Sequence, residues 1–315
     1  MAVTTPQGSR ESSDDTGHSG TRNRRARRVP SFEARMMAPA VIVLAVITFV
    51  PFLFMIVMSF TRITLIGGIE FHWNGLANWQ QMFTDPLVWS SWVRAMLYFV
   101  LTVGIEMVLG AAVALAIHEL VWGRNAVLSL ALLPMFIAPV VVGMLGRFLT
   151  DPTYGLYSWV LSSTGIYEGN VLGSPVPAFA SVVLMNVWEW TPLITLIVLA
   201  GLTAVPQGLV EAASIDGASY WQRLRHVVWP TVSGIVLIAL LVRSMDAIRY
   251  FAIIWISTNG GPANATKIIP LRLYEVAFRF FDIGYAATIG LGMLAFSILV
   301  ANAFIAVLRR REVVR

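Results

Sequence analysis

The stretch MMAPAVIVLAVITFVPFLFMIVMSFT, residues 36–61, contains no charged side chain. A helix crosses the hydrocarbon core of a bilayer with about 20 apolar residues, so this stretch is long enough to span a membrane. The apolar region of a secretory signal is only about 7–15 residues long. The stretch therefore predicts an uncleaved first membrane span.

Five further apolar segments follow, and together the six predict an all-α membrane protein with six transmembrane helices. Their approximate bounds are 37–60, 95–117, 126–146, 176–201, 235–256 and 285–308. The fifth segment carries three charged side chains and is the least apolar of the set. The segment between spans four and five, residues 202–234, stands out because it is not a plain connector.

The composition supports this fold class. The chain is 57% hydrophobic and 12% charged, whereas soluble domains carry about 25% charged residues. Its mean hydropathy is +0.73, which excludes an ordinary soluble globule. The chain has no cysteine, which excludes disulfides, thiolate metal sites and cysteine nucleophiles. Its four histidines are isolated and predict no metal site (His18, His72, His118 and His226).

The distribution of basic residues predicts the topology. Residues 1–30 are polar and predict a disordered basic cytoplasmic tail before the transmembrane domain of residues 31–315. With the N-terminus inside, the predicted cytoplasmic segments hold fourteen arginines, and the opposite side holds six basic residues. Basic residues are enriched in cytoplasmic loops. Both termini and the 202–234 segment are therefore predicted to be cytoplasmic.

The cytoplasmic segment contains GLTAVPQGLVEAASIDGASYWQRLRHVVWPTV, residues 201–232. Pro206 suits the first turn of a helix, Asp216-Gly217 is a turn signal, and Ser219 can cap a second helix. Pro230 is expected to limit that second helix near the membrane surface. The pattern predicts two short helices joined at a glycine corner. From the residues alone, the segment is either an amphipathic connector or a surface that another protein approaches closely.

The stretch EAASIDGASYWQRLRHVVWP resembles the cytoplasmic loop of permeases from binding-protein-dependent ABC importers. The matching positions are Glu211, Ala212, Ala213, Asp216, Gly217, Ala218 and Pro230. The resemblance implies the type I ABC importer transmembrane-domain fold and assigns this loop to coupling with an ATPase subunit. It also implies three kinds of partner: a second, non-identical permease, two ATPase subunits and an extracytoplasmic solute-binding protein.

Other stretches are similar to the sugar branch of that family, the maltose- and glycerol-phosphate-type permeases. They are Gly75-Leu76-Ala77-Asn78-Trp79, Trp188-Glu189-Trp190-Thr191-Pro192, Leu199-Ala200-Gly201-Leu202 and Arg243-Ser244-Met245-Asp246-Ala247-Ile248-Arg249. The resemblance implies a multi-pass protein of the bacterial plasma (inner) membrane. Its implied substrate is a mono-, di- or oligosaccharide or a related polyol.

Charged side chains within the predicted spans form the candidate substrate pathway. Each charge at the centre of a membrane helix costs roughly 2.5–3.5 kcal/mol, so these groups need partners. Asp246 is expected to hold both Arg243 and Arg249, with Glu189 or Glu106 neutralising the remaining charge. The cluster either only locks helices together or also contacts substrate. The candidate pathway residues are Trp188, Glu189, Trp190, Arg243, Asp246, Arg249 and Tyr250.

The sequence contains no phosphate-binding loop, because its only lysine is Lys267 and Ile268 follows it. ATP hydrolysis is therefore assigned to a separate chain, and no enzymatic activity, cofactor or nucleic-acid partner is expected. Two alternatives remain. Six spans could form half of a secondary carrier. Asp216-Gly217-Ala218 faintly resembles lipid-headgroup transferases, although the further aspartates of that pattern do not follow.

Overall fold

The computed structural model describes residues 32–64 and 70–313, so the predicted tail of residues 1–30 lies outside the described residues. The chain divides into two units, residues up to Val50 and residues from Pro51 onward. The helices are α1 (Phe32–Ser59), α2 (Ala77–Thr84), α3 (Pro86–Glu119), α4 (Arg124–Leu132), α5 (Pro139–Leu149), α6 (Leu156–Ser163), α7 (Pro175–Thr203), α8 (Gln207–Ile215), α9 (Tyr220–Arg223), α10 (Trp229–Ala247), α11 (Ala252–Ser257), α12 (Ile269–Phe278) and α13 (Ile283–Val313). Strands β1 (Thr61–Thr64) and β2 (Glu70–Trp73) form an antiparallel hairpin.

Five helical segments in the described residues are long and apolar enough to cross a membrane. They are Met36–Ser59, Pro86–Glu119, Pro175–Thr203, Tyr220–Ala247 and Ile283–Ala306. A sixth span results if the bent pair Arg124–Phe136 and Pro139–Leu149 is taken as one. The helical membrane fold expected from the sequence is confirmed, and the short β-hairpin is an addition that the all-α prediction did not include.

The predicted third span, 126–146, is not a straight helix. Its two halves are bent by 92°, and a 3-10 turn, Leu133–Phe136, lies between them. Pro134 and Pro139 explain the break, because each lacks a backbone N–H and its ring clashes with the carbonyl four residues earlier in a continuous helix. Both prolines were visible in the sequence, and they outweigh the apolar character of the segment.

The fifth span also differs from its predicted bounds of 235–256. Pro230 does not end the second loop helix, because helix is continuous from Tyr220 to Ala247. A π-helical turn at Leu224–Val228 immediately precedes α10, and its wider turn allows the helix to pass Pro230. At the other end, α10 stops at Ala247 and α11 begins at Ala252, so non-helical backbone interrupts the predicted span.

Helices α3, α7 and α10 form the centre of the second unit. Gly110 of α3 lies against α7 so closely that an added Cβ would be 2.7 Å from Ile194 Cβ. Gly201 of α7 similarly faces α10, and a Cβ added to it would lie 2.9 Å from Val232 Cγ1. Small residues at such crossings let membrane helices approach closely. This close packing brings polar side chains of all three helices to one place.

The β-hairpin is fastened to the helices by Asn78 of α2. The Asn78 Nδ2 donates to the carbonyls of Ser59, at 3.0 Å, and Thr61, at 2.9 Å. These carbonyls lie at and just beyond the C-terminus of α1, where helix carbonyls lack intrahelical partners. Gly284 of α13 packs against the same place, and a Cβ there would lie 2.0 Å from the Thr61 carbonyl oxygen.

Candidate functional site

Arg243 of α10 lies at the centre of the candidate pathway. Its side chain is fully buried, and its Nε donates to Glu106 Oε2 of α3 at 2.6 Å. Its Nη2 donates to Glu106 Oε1 at 2.9 Å. This two-point geometry is the strongest form of arginine–carboxylate pairing. Glu106 is therefore the principal partner of Arg243, and it also has no exposed side-chain surface.

Three further side chains complete the surroundings of the guanidinium. Nη1 donates to Asp246 Oδ2 at 2.8 Å, and Nη2 also donates to Asn186 Oδ1 of α7 at 2.5 Å. The guanidinium carbon lies 5.0 Å from the centre of the Trp190 ring, within cation–π range. Four of the five N–H donors of Arg243 are thus engaged by protein groups.

The expectation that Asp246 holds both arginines is wrong. Arg249 is exposed, and its Nε donates to the Met245 carbonyl at 3.3 Å. It therefore bonds a carbonyl of the last helical turn, where a positive side chain is favoured by the helix dipole. Of the two arginines, Asp246 contacts only Arg243. Glu106 supplies a second negative charge beside the Arg243 guanidinium.

Glu189 of α7 forms the second part of the cluster. Its carboxylate accepts a hydrogen bond from the Tyr250 hydroxyl, and it is buried. The rings of Trp190 and Tyr250 meet edge to face, with 6.3 Å between their centres. Tyr250 lies in the non-helical segment after α10. Non-helical backbone at membrane depth is tolerated where protein buries it or where it lines a water-filled cavity.

The structure thus brings together five of the seven candidate pathway residues and leaves two apart. Glu189, Trp190, Arg243, Asp246 and Tyr250 are connected by the contacts described above. The other two are Arg249 and Trp188. The Trp188 side chain is 49% exposed, and it lines a largely apolar cavity of about 590 Å³ between α5, α6 and α7.

Several polar side chains of the cluster were not predicted from the sequence. Asn186 is fully buried beside Arg243, and its Nδ2 has no hydrogen-bond partner among the described residues. The same holds for Tyr98 Oη and Ser244 Oγ. Asn186 could have been found from its position one turn before Trp190, because a polar side chain in an apolar helix usually faces the bundle interior.

The loop corner has the geometry predicted from the sequence. Gly217 has a φ of +79°, a conformation that glycine adopts at little cost. Ser219 caps the N-terminus of α9 in a capping box, in which its backbone N–H donates to Gln222 Oε1 at 2.7 Å. Arg223 Nη1 donates to Ser214 Oγ at 2.7 Å. This bond links the two short helices across the corner.

The predicted coupling residues lie on the surface of this corner. Glu211, Ala212, Asp216 and Gly217 are exposed, and Ala213 and Ala218 are partly exposed. Two large apolar side chains beside them were not assigned to coupling from the sequence. Ile215 is 87% exposed and Trp221 is 73% exposed.

A second ionic cluster links α3, α12 and α13. Glu275 of α12 is surrounded by three cations, with Lys267 Nζ at 2.8 Å, Arg279 Nη1 at 3.5 Å and Arg272 Nη1 at 3.8 Å. Asp85, which caps α3, accepts a hydrogen bond from the Tyr285 hydroxyl at 2.9 Å. This cluster was not predicted from the sequence. The positions of Arg272 and Arg279, three residues before and four residues after Glu275, are a local signal for part of it, whereas Asp85 and Tyr285 come from separate elements. Among the described residues, no group of His, Asp and Glu side chains could hold a metal ion.

Comparison with known proteins agrees with this architecture. The chain is 35% identical over 67% of its length to the trehalose/maltose transport system permease protein MalF of Thermococcus litoralis, covering 70% of that protein. It is 31% identical over 86% of its length to the trehalose transport system permease protein SugA of Mycobacterium tuberculosis, covering 85% of that protein. In fold it is similar to a chain of a bacterial ABC transporter that imports the acidic polysaccharide alginate. That match has a TM-score of 0.78 at 20% identity and covers 88% of this chain and 95% of the other.

The family described as "Binding-protein-dependent transport system inner membrane component" matches residues 106–313. This range includes Glu106, Glu189, Arg243 and the corner at Gly217. This match confirms the family that the loop motif indicated. It also confirms the inner-membrane location and the prediction of a transport role, not an enzymatic one. The chain belongs to the family of inner membrane components of binding-protein-dependent transport systems.

Proposed function

We propose that this chain is a permease subunit of an ATP-driven, binding-protein-dependent importer and forms part of the path for a sugar or related polyol. The observation that carries the proposal is the continuous helix Tyr220–Ala247. At a rise of about 1.5 Å per residue, it extends about 40 Å. It joins the exposed corner beside Gly217 to Arg243 and Asp246 inside the bundle, so movement at the corner is carried to the candidate pathway.

The corner is the proposed contact with the ATPase. Its small residues, Ala212, Ala213, Gly217 and Ala218, allow close approach of another chain. The exposed side chains of Ile215 and Trp221 add apolar surface that a partner would cover, as expected for an interaction site. Glu211 and Asp216 supply negative charge at its edge. The ATPase itself is assigned to a separate subunit, because this chain has no phosphate-binding loop.

The cluster between α3, α7 and α10 is the proposed substrate path. Asp246 retains 39% side-chain exposure and can accept hydrogen bonds from hydroxyl groups. Glu189, Trp190 and Tyr250 lie beside it, and aromatic rings stack well on the apolar faces of sugars. Arg243 holds the helices and orients Asp246, and its own donors are mostly engaged.

The proposed assembly contains this chain, a second non-identical permease, two ATPase subunits and an extracytoplasmic solute-binding protein. The names of the relatives support a sugar substrate, and the family description supports dependence on a binding protein. The distribution of arginines supports cytoplasmic termini and a cytoplasmic corner.

The experiment is transport by the purified assembly in proteoliposomes, with labelled glucose, maltose and trehalose as probes. We expect accumulation of at least one sugar that requires ATP on the corner side and the binding protein on the other. An ionophore that collapses ion gradients should not abolish it. Accumulation that needs an ion gradient and no ATP would identify a secondary carrier and contradict the proposal.

A further inference from the structure

The charges of the candidate path are unequal in number. Glu106, Glu189 and Asp246 are acidic, and Arg243 and Arg249 are basic. Glu106 and Arg243 neutralise each other in a fully buried pair. Glu189 is buried, and its carboxylate accepts the Tyr250 hydroxyl hydrogen bond. The path through this chain therefore carries no excess of positive charge.

The groups that a solute can reach differ from the groups that are buried. Arg243 has no exposed side-chain surface, whereas Asp246, its neighbour, is 39% exposed. A solute approaching this cluster therefore meets a carboxylate and not the guanidinium. Arg249 is exposed, but it bonds a carbonyl of the last turn of α10. The partial negative charge at that helix end, about half an elementary charge, reduces its attraction for anions.

An anionic solute needs a compensating cation when it leaves water. Moving an ion into a low-dielectric interior costs several kcal/mol even after relaxation, and charge-assisted bonds from arginine are the usual compensation. Here the buried arginine has four of its five donors committed to Glu106, Asp246 and Asn186. An uncharged polyol needs only hydrogen-bonding groups, and the exposed part of the Asp246 carboxylate can supply them.

We propose that the path through this chain selects uncharged polyhydroxylated solutes and rejects saccharides that carry carboxylate, sulfate or phosphate groups. This inference rests on the proposed importer function and narrows its substrate class. The fold itself does not decide the charge of the solute, because the structural neighbour of similar fold belongs to an importer of an acidic polysaccharide. The selection is instead a property of Glu106, Asp246 and Arg243 in this chain.

The test is uptake by the complete assembly in proteoliposomes with a panel of probes. The uncharged probes are glucose, maltose and trehalose, and the anionic probes are glucose 6-phosphate, glycerol 3-phosphate and a glucuronic acid disaccharide. We expect ATP-driven uptake of an uncharged probe only, with no competition from a 100-fold excess of the anionic probes. Uptake of an anionic probe would overturn the inference and leave the importer function intact. Absence of ATP-driven uptake for every probe would instead contradict the importer function.

A variant separates the contribution of Asp246 from that of the fold. Asp246→Asn leaves the Glu106–Arg243 pair in place, so we expect unchanged membrane levels. We expect the KM for the transported uncharged sugar to rise about tenfold or more, the effect of losing one charge-assisted hydrogen bond. Met245→Leu, at the adjacent half-exposed position, is the matched control and should leave KM unchanged. A wild-type KM in Asp246→Asn would show that the Asp246 carboxylate does not bind the sugar, and it would overturn the inference.

Discussion

Glu106 and Arg243 lie 137 positions apart in the chain and form a fully buried two-point ion pair, with oxygen–nitrogen distances of 2.6 and 2.9 Å. This pair joins α3 to α10, and Asn186 of α7 completes the connection. Two charges taken out of water are stable only when they satisfy each other. The pair therefore holds α3 against α10 and keeps the Arg243 guanidinium away from solvent.

Removing the carboxylate of this pair should be more damaging than removing Asp246. Glu106→Gln leaves Arg243 with one half-exposed carboxylate, and breaking a buried pair costs about 3–5 kcal/mol. We expect a large loss of monodisperse protein on size-exclusion chromatography in detergent and a lower melting temperature. Glu106→Asp, which retains the charge, should recover part of the loss. Equal stability of Glu106→Gln and Asp246→Asn would contradict the assigned pairing.

Gly284 should tolerate no side chain. A Cβ at this position would lie 2.0 Å from the Thr61 carbonyl oxygen and 3.1 Å from Asn78 Nδ2. Both neighbours are fixed by the hydrogen bonds of Asn78, so Gly284→Ala should displace α13 or the β-hairpin and reduce the yield of folded protein. Gly104→Ala is the matched control, since nothing lies within 4 Å of its added Cβ. Normal folded yield for Gly284→Ala would show that this contact is not tight.

The topology can be tested with single cysteines, because the chain has none of its own. Ser219 and Thr153 are both exposed and are predicted to lie on opposite sides of the membrane. A membrane-impermeant maleimide should label Thr153→Cys in intact cells and should label Ser219→Cys only after permeabilisation. The reverse pattern would refute cytoplasmic placement of the corner and both termini.

The helical fold, the family and the glycine corner could be predicted from the sequence because each depends on local signals. Long apolar runs determine the spans, and Asp216-Gly217 followed by Ser219 determines a turn and a cap. The pairing of Arg243 with Glu106 could not be predicted, since Glu189 and Asp246 were equally available in the sequence. Only the packing of α3 against α7 and α10 selects Glu106.

The breaks in the helices were missed for a different reason. Pro134 and Pro139 were present within the predicted third span, but the apolar character of the segment dominated its interpretation. The π-helical turn at Leu224–Val228 has no comparable sequence signal. It reversed the expected effect of Pro230, because a helix with a widened turn can continue past a proline.

The central claim is that the corner at Gly217 couples this chain to a separate ATPase, and one variant tests it most directly. Gly217 has a φ of +79° with open space around its Cβ position. Gly217→Val therefore strains the corner, because β-branched residues disfavour positive φ, and adds bulk where the partner approaches. Gly208→Val is the matched control, because an added Cβ in α8 also meets nothing within 4 Å and needs no left-handed backbone.

The measurement is co-purification of the ATPase with the permeases, followed by ATP hydrolysis in proteoliposomes stimulated by sugar-loaded binding protein. We expect Gly217→Val to insert into the membrane normally and to lose ATPase association or stimulated hydrolysis, while Gly208→Val retains both. Glu211→Lys should act in the same direction as Gly217→Val by reversing charge at the contact. Wild-type association and stimulated hydrolysis in both Gly217→Val and Glu211→Lys would contradict the coupling role of the corner.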